Sequence, residues 1–572
     1  MKSIMTDESR EEIQTPYRVP RHPAPVDMRL DGNEGQVVCT DVLDVVSDLA
    51  VDDLRHYPST ANLEALIAQL FGVKSEQVLV TAGADDGLLR MCRSYLSPDR
   101  DLILPVPTFE MIERFADWCF ATVKTVPWTS GVYPVDAVLA RLSERTGLIA
   151  VVSPNNPTGG VITSDELVRL SASCPDCMLM VDGAYAEFAD EDLTKTALTL
   201  PNAVVFRTLS KALGLAGLRV GFAIGAAQVI ERLRAMGMPY PVSAPSLRLA
   251  QAGLERRDQS RGYIETVRKE RAVLADLLTE LGLEPSSSQG NFIFARTDNA
   301  QWWRDGLAGL GIGVRAWPEK PTLRNALRLT CPGDADDFER LEKALRTIAK
   351  PEAILFDIDG VLIDVDASYR AAIIETAAHF GVSITPKDIE DCKRAGEANN
   401  DWLVTQKILA QKGVYPAFEE IKDRFEDLYW GTESTPGLCR NERLIGDRSA
   451  LLRLADRFPI AAVTGRPKRD ALYVLERFGI LNAFSAVITM EDGPAKPDPA
   501  PVRKALDTLG VERAWMLGDT RDDIVAARTA EVLPLGVVSR ARAGTDTART
   551  QLLTQGAARV FQNWMEMEAL LP

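Results

Sequence analysis

Short apolar runs alternate with helical patterns along most of this chain. Val78–Thr81, Leu148–Val152 and Val204–Arg207 have the length and largely apolar character of buried strands. Asn62–Leu70 and Asp165–Leu170 repeat apolar residues at the spacing of an amphipathic helix. This alternation predicts an α/β fold with a largely parallel sheet.

A second unit of the same kind begins late in the chain. The residue before a proline is biased away from helix, and Pro351 follows a long helical pattern. The apolar run Ala353–Phe356 then begins a new strand. We therefore predict a domain boundary near residue 350, with domains at 1–350 and 351–572.

Each predicted domain contains a part with a different pattern. In the first domain, short strand-like runs between 285 and 328 predict a small α+β subdomain, formed by about 1–40 and 245–350. In the second domain, the stretch of about 366–435 is helical and lacks the alternation of its flanks. We expect this stretch to be a helical insertion.

Composition narrows the classes of function. The chain has 572 residues, a formal net charge of −16 and a pI near 5.0. That acidity argues against a surface that neutralises nucleic-acid phosphates. No apolar run approaches the roughly 18 residues of a membrane span, and the first residues lack the apolar core of a signal peptide. We expect no nucleic-acid partner and no membrane span.

Histidine and cysteine usage limits the metal and redox chemistry. The three histidines are scattered, which argues against a multi-histidine metal site. Eight cysteines are too few for a disulfide framework in a chain of this length, so we expect a cytoplasmic setting. Cys174 and Cys177 have CxxC spacing, but without a second pair two thiols before a buried strand are favoured over zinc.

Several polar groups follow strand-like runs in the first domain. Lys211 follows one run, Asp182 ends another, and Asn156 lies in the turn after a third. Thr81–Asp86 leads into a helix through small residues, which would let backbone N–H groups approach an anion. A fixed cation, Arg219, lies shortly after the lysine. These groups suit pyridoxal phosphate (PLP), which needs a lysine, a carboxylate facing its ring nitrogen and a phosphate cradle.

Their order resembles that of the fold-type I PLP-dependent aminotransferases, over roughly residues 15–348. The resemblance is strongest to the histidinol-phosphate aminotransferase family. It rests on Asn156-Pro157-Thr158-Gly159, Thr208-Leu209-Ser210-Lys211, Arg219, Asp31–Gly35, His56–Pro58, Pro107–Phe109, Pro239–Pro241 and Asn325–Arg328.

This resemblance implies a role for each matched residue. Lys211 would hold PLP and then move a proton between the substrate Cα and the cofactor, and Asp182 would keep the pyridine nitrogen protonated. Arg328 would bind the anionic group of the substrate, and Tyr17 would touch the substrate. Tyr57 would reach the cofactor of a partner subunit, which implies a homodimer. The other cofactor-binding residues would be Ala84, Asp85, Phe109, Asn156, Tyr185, Ser210 and Arg219.

A second set of chemically suited groups lies in the second domain. Asp357, after an apolar strand, is suited to attack phosphorus. Asp359 is suited to protonate the leaving oxygen and then to activate water. Thr464 and Lys496 are suited to stabilise the transferring group. Asp519, after a later strand, is suited to bind Mg²⁺ together with Asp357.

This set resembles the haloacid dehalogenase-like (HAD) phosphatases across roughly 352–572. The resemblance implies a Rossmann-like domain that hydrolyses phosphate monoesters through a phosphorylated Asp357. The helical insertion would be a cap that closes over the site and selects the substrate. The Mg²⁺ ligands would be Asp357, Asp359, Asp519 and Asp523.

Together the two resemblances predict a bifunctional enzyme of histidine biosynthesis. The first half would convert imidazole-acetol phosphate and L-glutamate into L-histidinol phosphate and 2-oxoglutarate, and the second half would hydrolyse a phosphate monoester, with histidinol phosphate as the candidate. Two alternatives stay open. The aminotransferase could act on another amino acid beside a phosphatase of unrelated substrate, or the HAD domain could be regulatory and not catalytic.

Overall fold

The computed structural model describes residues 19–36, 40–129, 131–395, 400–539 and 545–572. The described chain folds as two units. The first unit holds residues 19–20, 30–300 and 314–339, and the second holds 21–29, 301–313 and 340–572. The domain boundary near residue 350 stays a prediction.

A mixed sheet forms the centre of the first unit. Its strands Thr146–Val152, Met178–Asp182 and Ala203–Thr208 pair in parallel and are almost entirely buried. Because parallel strands end at the same edge of a sheet, the residues after these three strands gather there. Over the described residues, the spatial order is Val78–Thr81, Gly221–Gly225, Ala203–Thr208, Met178–Asp182, Thr146–Val152, Asp101–Val106 and Thr122–Pro127.

Helices cover both faces of this sheet. Leu148 and Ala150 belong to one buried apolar cluster, whereas Ile149 and Val151 belong to another, as expected for alternating side chains on a strand. Both faces are therefore apolar, and the strand reads as a continuous hydrophobic run. The α-helices of this unit are Asp44–Ser47, Val51–Arg55, Ala61–Phe71, Gly83–Tyr95, Glu110–Trp118, Val135–Leu139, Ser164–Ser173, Thr194–Ala197, Ala227–Ala235, Ala244–Glu255 and Arg261–Glu280.

A smaller sheet is built from later strands and one early strand. Phe292–Arg296 pairs antiparallel with Ala326–Thr330, which sets Arg328 opposite Phe294. The helices Ala300–Gly309 and Ala335–Ala349 lie between and after these strands in the chain. The described strands, in spatial order, are Met28–Leu30, Ile312–Ala316, Ala326–Thr330, Phe292–Arg296 and Glu284–Pro285.

A parallel sheet forms the centre of the second unit. Asp357, Thr464 and Asp519 each follow one of its strands directly, so they share one edge of the sheet. Its described strands, in spatial order, are Ala486–Ile488, Ile460–Val463, Ala353–Phe356, Ala514–Gly518, Leu533–Val537 and Arg559–Phe561. The accompanying α-helices are Arg448–Arg457, Lys468–Arg477, Ala500–Leu509, Arg521–Thr529 and Thr545–Gln555.

A helical insertion, which we call the cap, interrupts this second unit. The short strands Ile363–Asp364 and Arg443–Leu444 pair antiparallel where the chain enters and leaves it. Among the residues described, its helices are Tyr369–His379, Pro386–Ala395, Asp401–Gln411 and Phe418–Trp430.

The α/β fold class expected from the hydrophobic pattern is confirmed. Val78–Thr81 is a strand with the expected ends, and the strand expected at Leu148–Val152 begins two residues earlier, at Thr146. Nowhere in the described ranges is a helix both long enough and apolar enough to cross a bilayer.

Candidate active sites

Lys211 lies just beyond the strand Ala203–Thr208, at the carboxyl edge of the large sheet. Its Nζ donates a hydrogen bond of 2.9 Å to the carbonyl oxygen of Gly32, and lies 5.8 Å from the ring centre of Tyr185. The amine is half-buried. It is therefore held by a neutral acceptor close to the strand ends that carry the other expected groups.

Asp182 ends the neighbouring strand and is only 4% exposed. Its Oδ1 accepts a hydrogen bond of 3.1 Å from the backbone N–H of Ala184. Burial raises the pKa of this carboxyl to about 7, against the opposing charge of Lys211. A protonated pyridine nitrogen would compensate a buried negative charge, so this residue fits the ring side of PLP.

Arg328 and Asn156 meet although they are distant in the sequence. The guanidinium of Arg328 is buried, and its Nη1 donates a hydrogen bond of 2.6 Å to Asn156 Oδ1. Its Nη2 donates a hydrogen bond of 2.6 Å to the carbonyl oxygen of Asp31. The expected substrate-binding cation, Arg328, is thereby held beside Asn156, one of the expected cofactor-binding residues.

The helix Gly83–Tyr95 begins at the expected phosphate cradle. Gly83 has φ +78°, and a Cβ built there would lie 2.7 Å from Nη2 of Arg219. The same Nη2 lies 3.2 Å from Asp85 Oδ2. A helix N-terminus and a guanidinium together favour an anion. Ala84 and Ser210 are both buried at this edge, and Ser210 Oγ accepts a hydrogen bond of 2.8 Å from Thr208.

The remaining expected cofactor and substrate residues have different placements. Phe109 caps the helix Glu110–Trp118 and packs partly against the core. Tyr57 is 82% exposed, and its ring stacks on that of Tyr240 at a centroid distance of 4.6 Å. Tyr17 lies outside the described residues.

Asn33 is a site residue for which the sequence suggested no role. It is fully buried, and its Nδ2 donates a hydrogen bond of 3.0 Å to the hydroxyl oxygen of Tyr185. Its Oδ1 accepts a hydrogen bond of 2.7 Å from Thr330 Oγ1. The only sequence signal was its place in Asp31–Gly35, because a packing partner 152 residues away has no local signature.

The second set of groups is arranged around Lys496, which is 3% exposed. Its Nζ donates hydrogen bonds to Asp357 Oδ1 at 2.7 Å and to the carbonyl oxygen of Val463 at 2.9 Å. It also donates to Asp523 Oδ1. Burial raises the pKa of Asp357, and the ammonium of Lys496 opposes that effect. The lysine therefore compensates two buried carboxylates at the strand edge.

Three carboxylates form a candidate metal site. Oxygen atoms of Asp357, Asp519 and Asp523 all lie within 4.8 Å of one another. Gly360 has φ +78°, and a Cβ there would lie 2.0 Å from Asp519 Oδ2, so only glycine leaves room for that carboxylate. Carboxylate oxygens are the ligands that Mg²⁺ prefers, and this donor set fits it.

Two other expected catalytic residues, Thr464 and Asp359, each accept a hydrogen bond from Arg466. Thr464 is buried, and its Oγ1 accepts a hydrogen bond of 3.2 Å from the backbone N–H of Arg466. Asp359 Oδ1 accepts a hydrogen bond of 2.6 Å from Arg466 Nε. Three of the four expected Mg²⁺ ligands, Asp357, Asp519 and Asp523, therefore lie together. The fourth, Asp359, has its carboxylate hydrogen-bonded to Arg466.

Comparison with protein families assigns each half of the chain. Residues 28–345 match the family described as "Aminotransferase class I and II". The chain belongs to this aminotransferase family. Residues 351–531 match the haloacid dehalogenase-like hydrolase family, so the aminotransferase is joined to a hydrolase domain of the HAD type.

Curated relatives match this chain over different shares of its length. A histidinol-phosphate aminotransferase of Dinoroseobacter shibae is 34% identical over 330 residues, which cover 56% of this chain and 90% of that protein. An aromatic amino acid aminotransferase of Cutibacterium acnes is 32% identical over 50% of this chain and 83% of its own length. An imidazoleglycerol-phosphate dehydratase of Phytophthora nicotianae is 44% identical over 196 residues, 33% of this chain and only 43% of that protein.

Solved structures support the fold of the aminotransferase. A histidinol-phosphate aminotransferase of Sinorhizobium meliloti, in complex with pyridoxal-5'-phosphate, covers 61% of this chain at 19% identity with a TM-score of 0.54. A related structure from Erwinia carotovora atroseptica covers 59% of the chain at 24% identity with a TM-score of 0.53. At these identities, both structures are similar to this chain in fold.

Proposed function

We propose that this chain is a bifunctional enzyme that transaminates imidazole-acetol phosphate with L-glutamate and then hydrolyses the product, L-histidinol phosphate, to histidinol. The observation that carries the proposal is the presence of two sets of chemically suited residues in one chain, each at the carboxyl edge of a sheet. Lys211 and Asp182 serve the amino transfer, and Asp357, Lys496 and Asp519 serve the phosphate hydrolysis.

Relatives support the choice of substrate class. The relative from Dinoroseobacter shibae is named for histidinol phosphate. The relative from Phytophthora nicotianae is named for imidazoleglycerol phosphate, which is also an imidazole compound with a phosphate ester. A product that retains its phosphate is a chemically suitable substrate for a phosphatase on the same chain.

In the transamination, bound PLP supplies a ring that withdraws electrons from the substrate Cα. Lys211 Nζ holds the cofactor and then carries the proton that moves from Cα. Asp182 holds the proton of the ring nitrogen, and its burial removes competing water. Arg328 orients the anionic end of the substrate through a guanidinium that Asn156 and the Asp31 carbonyl already hold.

In the hydrolysis, an oxygen of Asp357 attacks phosphorus and the bond to the leaving oxygen breaks, with Asp359 giving that oxygen its proton. A water then attacks the phosphorylated Asp357, gives its proton to Asp359 and releases inorganic phosphate. Lys496 Nζ and Thr464 stabilise charge on the transferring group. Asp357, Asp519 and Asp523 would hold Mg²⁺, which offsets repulsion between the carboxylates and the phosphate ester.

We also propose a homodimer, which we place in the cytoplasm. Leu43, Val51 and Leu54 are 65%, 76% and 71% exposed on adjacent helical segments, and Tyr57 follows them. Apolar side chains concentrated in one exposed segment are typical of a surface that meets another protein. A second copy of this chain would cover them and would bring Tyr57 to the neighbouring cofactor phosphate.

A coupled assay tests the proposal. Imidazole-acetol phosphate and glutamate are supplied with PLP and Mg²⁺, and histidinol phosphate is separated from histidinol by chromatography. The wild-type enzyme is expected to give histidinol and free phosphate, whereas Asp357→Asn accumulates histidinol phosphate. Lys211→Ala makes neither product from the ketone, loses the visible absorbance of bound PLP, and still releases phosphate from added histidinol phosphate. Histidinol phosphate that persists with the wild-type enzyme would contradict the pairing of the two activities.

An aromatic amino acid is the second candidate substrate for the amino transfer. The relative from Cutibacterium acnes, 32% identical over 83% of its length, carries that activity in its name. To separate the two candidates, phenylalanine or histidinol phosphate is supplied with 2-oxoglutarate, and the glutamate formed is measured. Glutamate from phenylalanine and none from histidinol phosphate would favour the aromatic amino acid as the substrate.

A further inference from the structure

Arg466 is a fully buried arginine two residues beyond Thr464, and the catalytic steps above do not use it. Its guanidinium is 0% exposed. Nε donates a hydrogen bond of 2.6 Å to Asp359 Oδ1, and Nη2 lies at the same distance from that oxygen. Nη2 also lies 3.0 Å from Glu442 Oε1, and Nη1 donates to the hydroxyl oxygen of Tyr429 at 3.1 Å. Such burial is costly, and here two carboxylates compensate it.

The guanidinium of Arg466 also has contacts besides those to Asp359. The Glu442 carboxylate is also 0% exposed. Its Oε1 accepts hydrogen bonds of 3.1 Å from Ser368 Oγ and from the Tyr429 hydroxyl. The Tyr369 ring lies over the guanidinium, with its centroid 4.6 Å from Arg466 Cζ. These contacts leave the guanidinium little freedom to turn away from Asp359.

The residues that hold the arginine lie where the chain crosses between the cap and the sheet. Ser368 and Tyr369 begin the first cap helix, and Tyr429 lies near the end of Phe418–Trp430. Glu442 directly precedes the strand by which the chain returns from the cap. The position of Arg466 therefore depends on both crossings.

We propose that Arg466 is a positioning residue that holds Asp359 for proton transfer to the leaving oxygen, an inference that rests on the proposed phosphatase function. Both guanidinium contacts are to Oδ1 of Asp359, which leaves Oδ2 for the proton that moves. Arg466 acts through Asp359, and Glu442 holds Arg466 from the opposite side.

The test compares two substrates of similar size whose leaving groups differ in basicity. Phenol has a pKa near 10, so phenolate needs a proton as it leaves, whereas p-nitrophenolate is a much weaker base and leaves with little help. Release of phenol and p-nitrophenol is followed in single turnovers with Mg²⁺, so that only the first chemical step is observed. The variants are Arg466→Met, Arg466→Lys, Glu442→Gln and Asp359→Asn.

Because general acid catalysis contributes about 10²–10⁴-fold, Arg466→Met is expected to slow phenyl phosphate at least tenfold more than p-nitrophenyl phosphate. Asp359→Asn should show the same selectivity, and the double variant should lose little more than Asp359→Asn alone. Glu442→Gln should also slow phenyl phosphate more than p-nitrophenyl phosphate, by a smaller factor. This variant tests the role of Arg466 independently if Arg466→Met does not fold. Arg469→Met, an exposed arginine three residues along the chain, is the matched control.

Equal loss on both substrates in folded variants would overturn the role of Arg466 and assign it to structure. A rise in KM with unchanged kcat on both would instead make it a phosphate-binding residue, which also overturns the role. If the wild-type enzyme releases phosphate from neither ester nor from histidinol phosphate, the phosphatase function itself fails and the role of Arg466 fails with it. Hydrolysis by the wild type with no change of selectivity in the variants removes only the inference about Arg466.

Discussion

At the scale of single residues, both sites are built from buried charges. Asp182 and Lys496 are 4% and 3% exposed. Lys496 is compensated within the chain by Asp357 and Asp523. Asp182 accepts a backbone hydrogen bond, and burial still raises its pKa. We infer that one site is balanced by protein charges, whereas the other is balanced when the cofactor binds.

The pH dependence of the cofactor-free protein checks this difference. Between pH 4 and 7 the unfolded chain has lost the proton of Asp182, whereas the folded chain, with a pKa of about 7, retains it. The contribution of Asp182 to the free energy of unfolding therefore falls as the pH rises from 4 to 7, by roughly 4 kcal/mol at most. Asp182→Asn removes the cost, so the cofactor-free variant should melt well above the wild type at pH 8 and above it by a smaller margin at pH 5.

The measurement is thermal melting of the full chain, following the transition that PLP shifts in the wild type. With PLP bound the order is expected to reverse, since the variant lacks the charge that faces the ring nitrogen. A difference in melting temperature that does not vary between pH 5 and 8 would contradict a buried, titrating Asp182.

At the scale of elements, helix starts and strand ends decide what each site binds. The helix Gly83–Tyr95 directs its first N–H groups to the sheet edge where Lys211 lies. A glycine at its start allows Arg219 to approach. The phosphate cradle thus depends on one backbone position as much as on the charged side chains.

Gly83→Ala is expected to weaken PLP binding at least tenfold, because a Cβ there would lie 2.7 Å from Arg219 Nη2. Gly72→Ala is the matched control: Gly72 also has positive φ, of 68°, but a Cβ there meets nothing within 4 Å. Both changes carry the strain of a left-handed residue, so only the difference between them reports the cradle. PLP titration by absorbance measures it, and equal affinities would argue against Arg219 as a phosphate ligand.

The metal site can be tested in the same way, by comparing two glycine-to-alanine changes, one of them in the loop after the strand Ala353–Phe356. Gly360→Ala would place a Cβ 2.0 Å from Asp519 Oδ2, whereas Gly381→Ala, with the same φ of 78°, meets nothing within 4 Å. Gly360→Ala should raise the Mg²⁺ concentration for half-maximal phosphate release at least tenfold. An unchanged Mg²⁺ dependence would count against Asp519 as a ligand.

At the scale of the whole molecule, each unit contains its own set of chemical groups. Lys211, Asp182 and Arg328 belong to the first unit, and Asp357 and Lys496 belong to the second. A change that disrupts one set should therefore leave the chemistry of the other intact.

Dimer formation provides a test at this scale. Leu54→Asp places a charge in the exposed apolar segment and is expected to convert a dimer to a monomer and to reduce PLP retention several-fold. Phosphate release by the second unit should not change. Val273→Asp, at a residue 47% exposed on another helix, is the control. Light scattering gives the mass, and a monomeric wild-type chain would contradict the proposed dimer.

Much of the architecture followed from the sequence because its signals are local. The apolar runs marked the strands, and the residues after them, such as Asn156 and Asp357, were predicted to be site residues from their residue type, their place after a strand and the resemblance to the two families. A parallel sheet brings strand ends together whatever their separation along the chain. The roles of these residues in binding and catalysis stay predictions.

Contacts between distant segments could not be predicted in the same way. Asn33 reaches Tyr185 across 152 residues, and Arg466 reaches Asp359 across 107. Within the second unit, Trp515 donates a hydrogen bond to the Thr347 carbonyl oxygen and packs edge-on against Trp302. Nothing in the short-range pattern marks these pairs.

By itself, the sequence determined the α/β class, the alternation of elements and the two sets of strand-end groups, because periodicity and turn chemistry act over a few residues. Only the tertiary structure decided that Asp359 binds Arg466, that Glu442 and Tyr429 hold that arginine, and that three of four acidic residues meet as one candidate metal site. The physical reason is that burial and pairing of charges depend on which distant segments fold against each other.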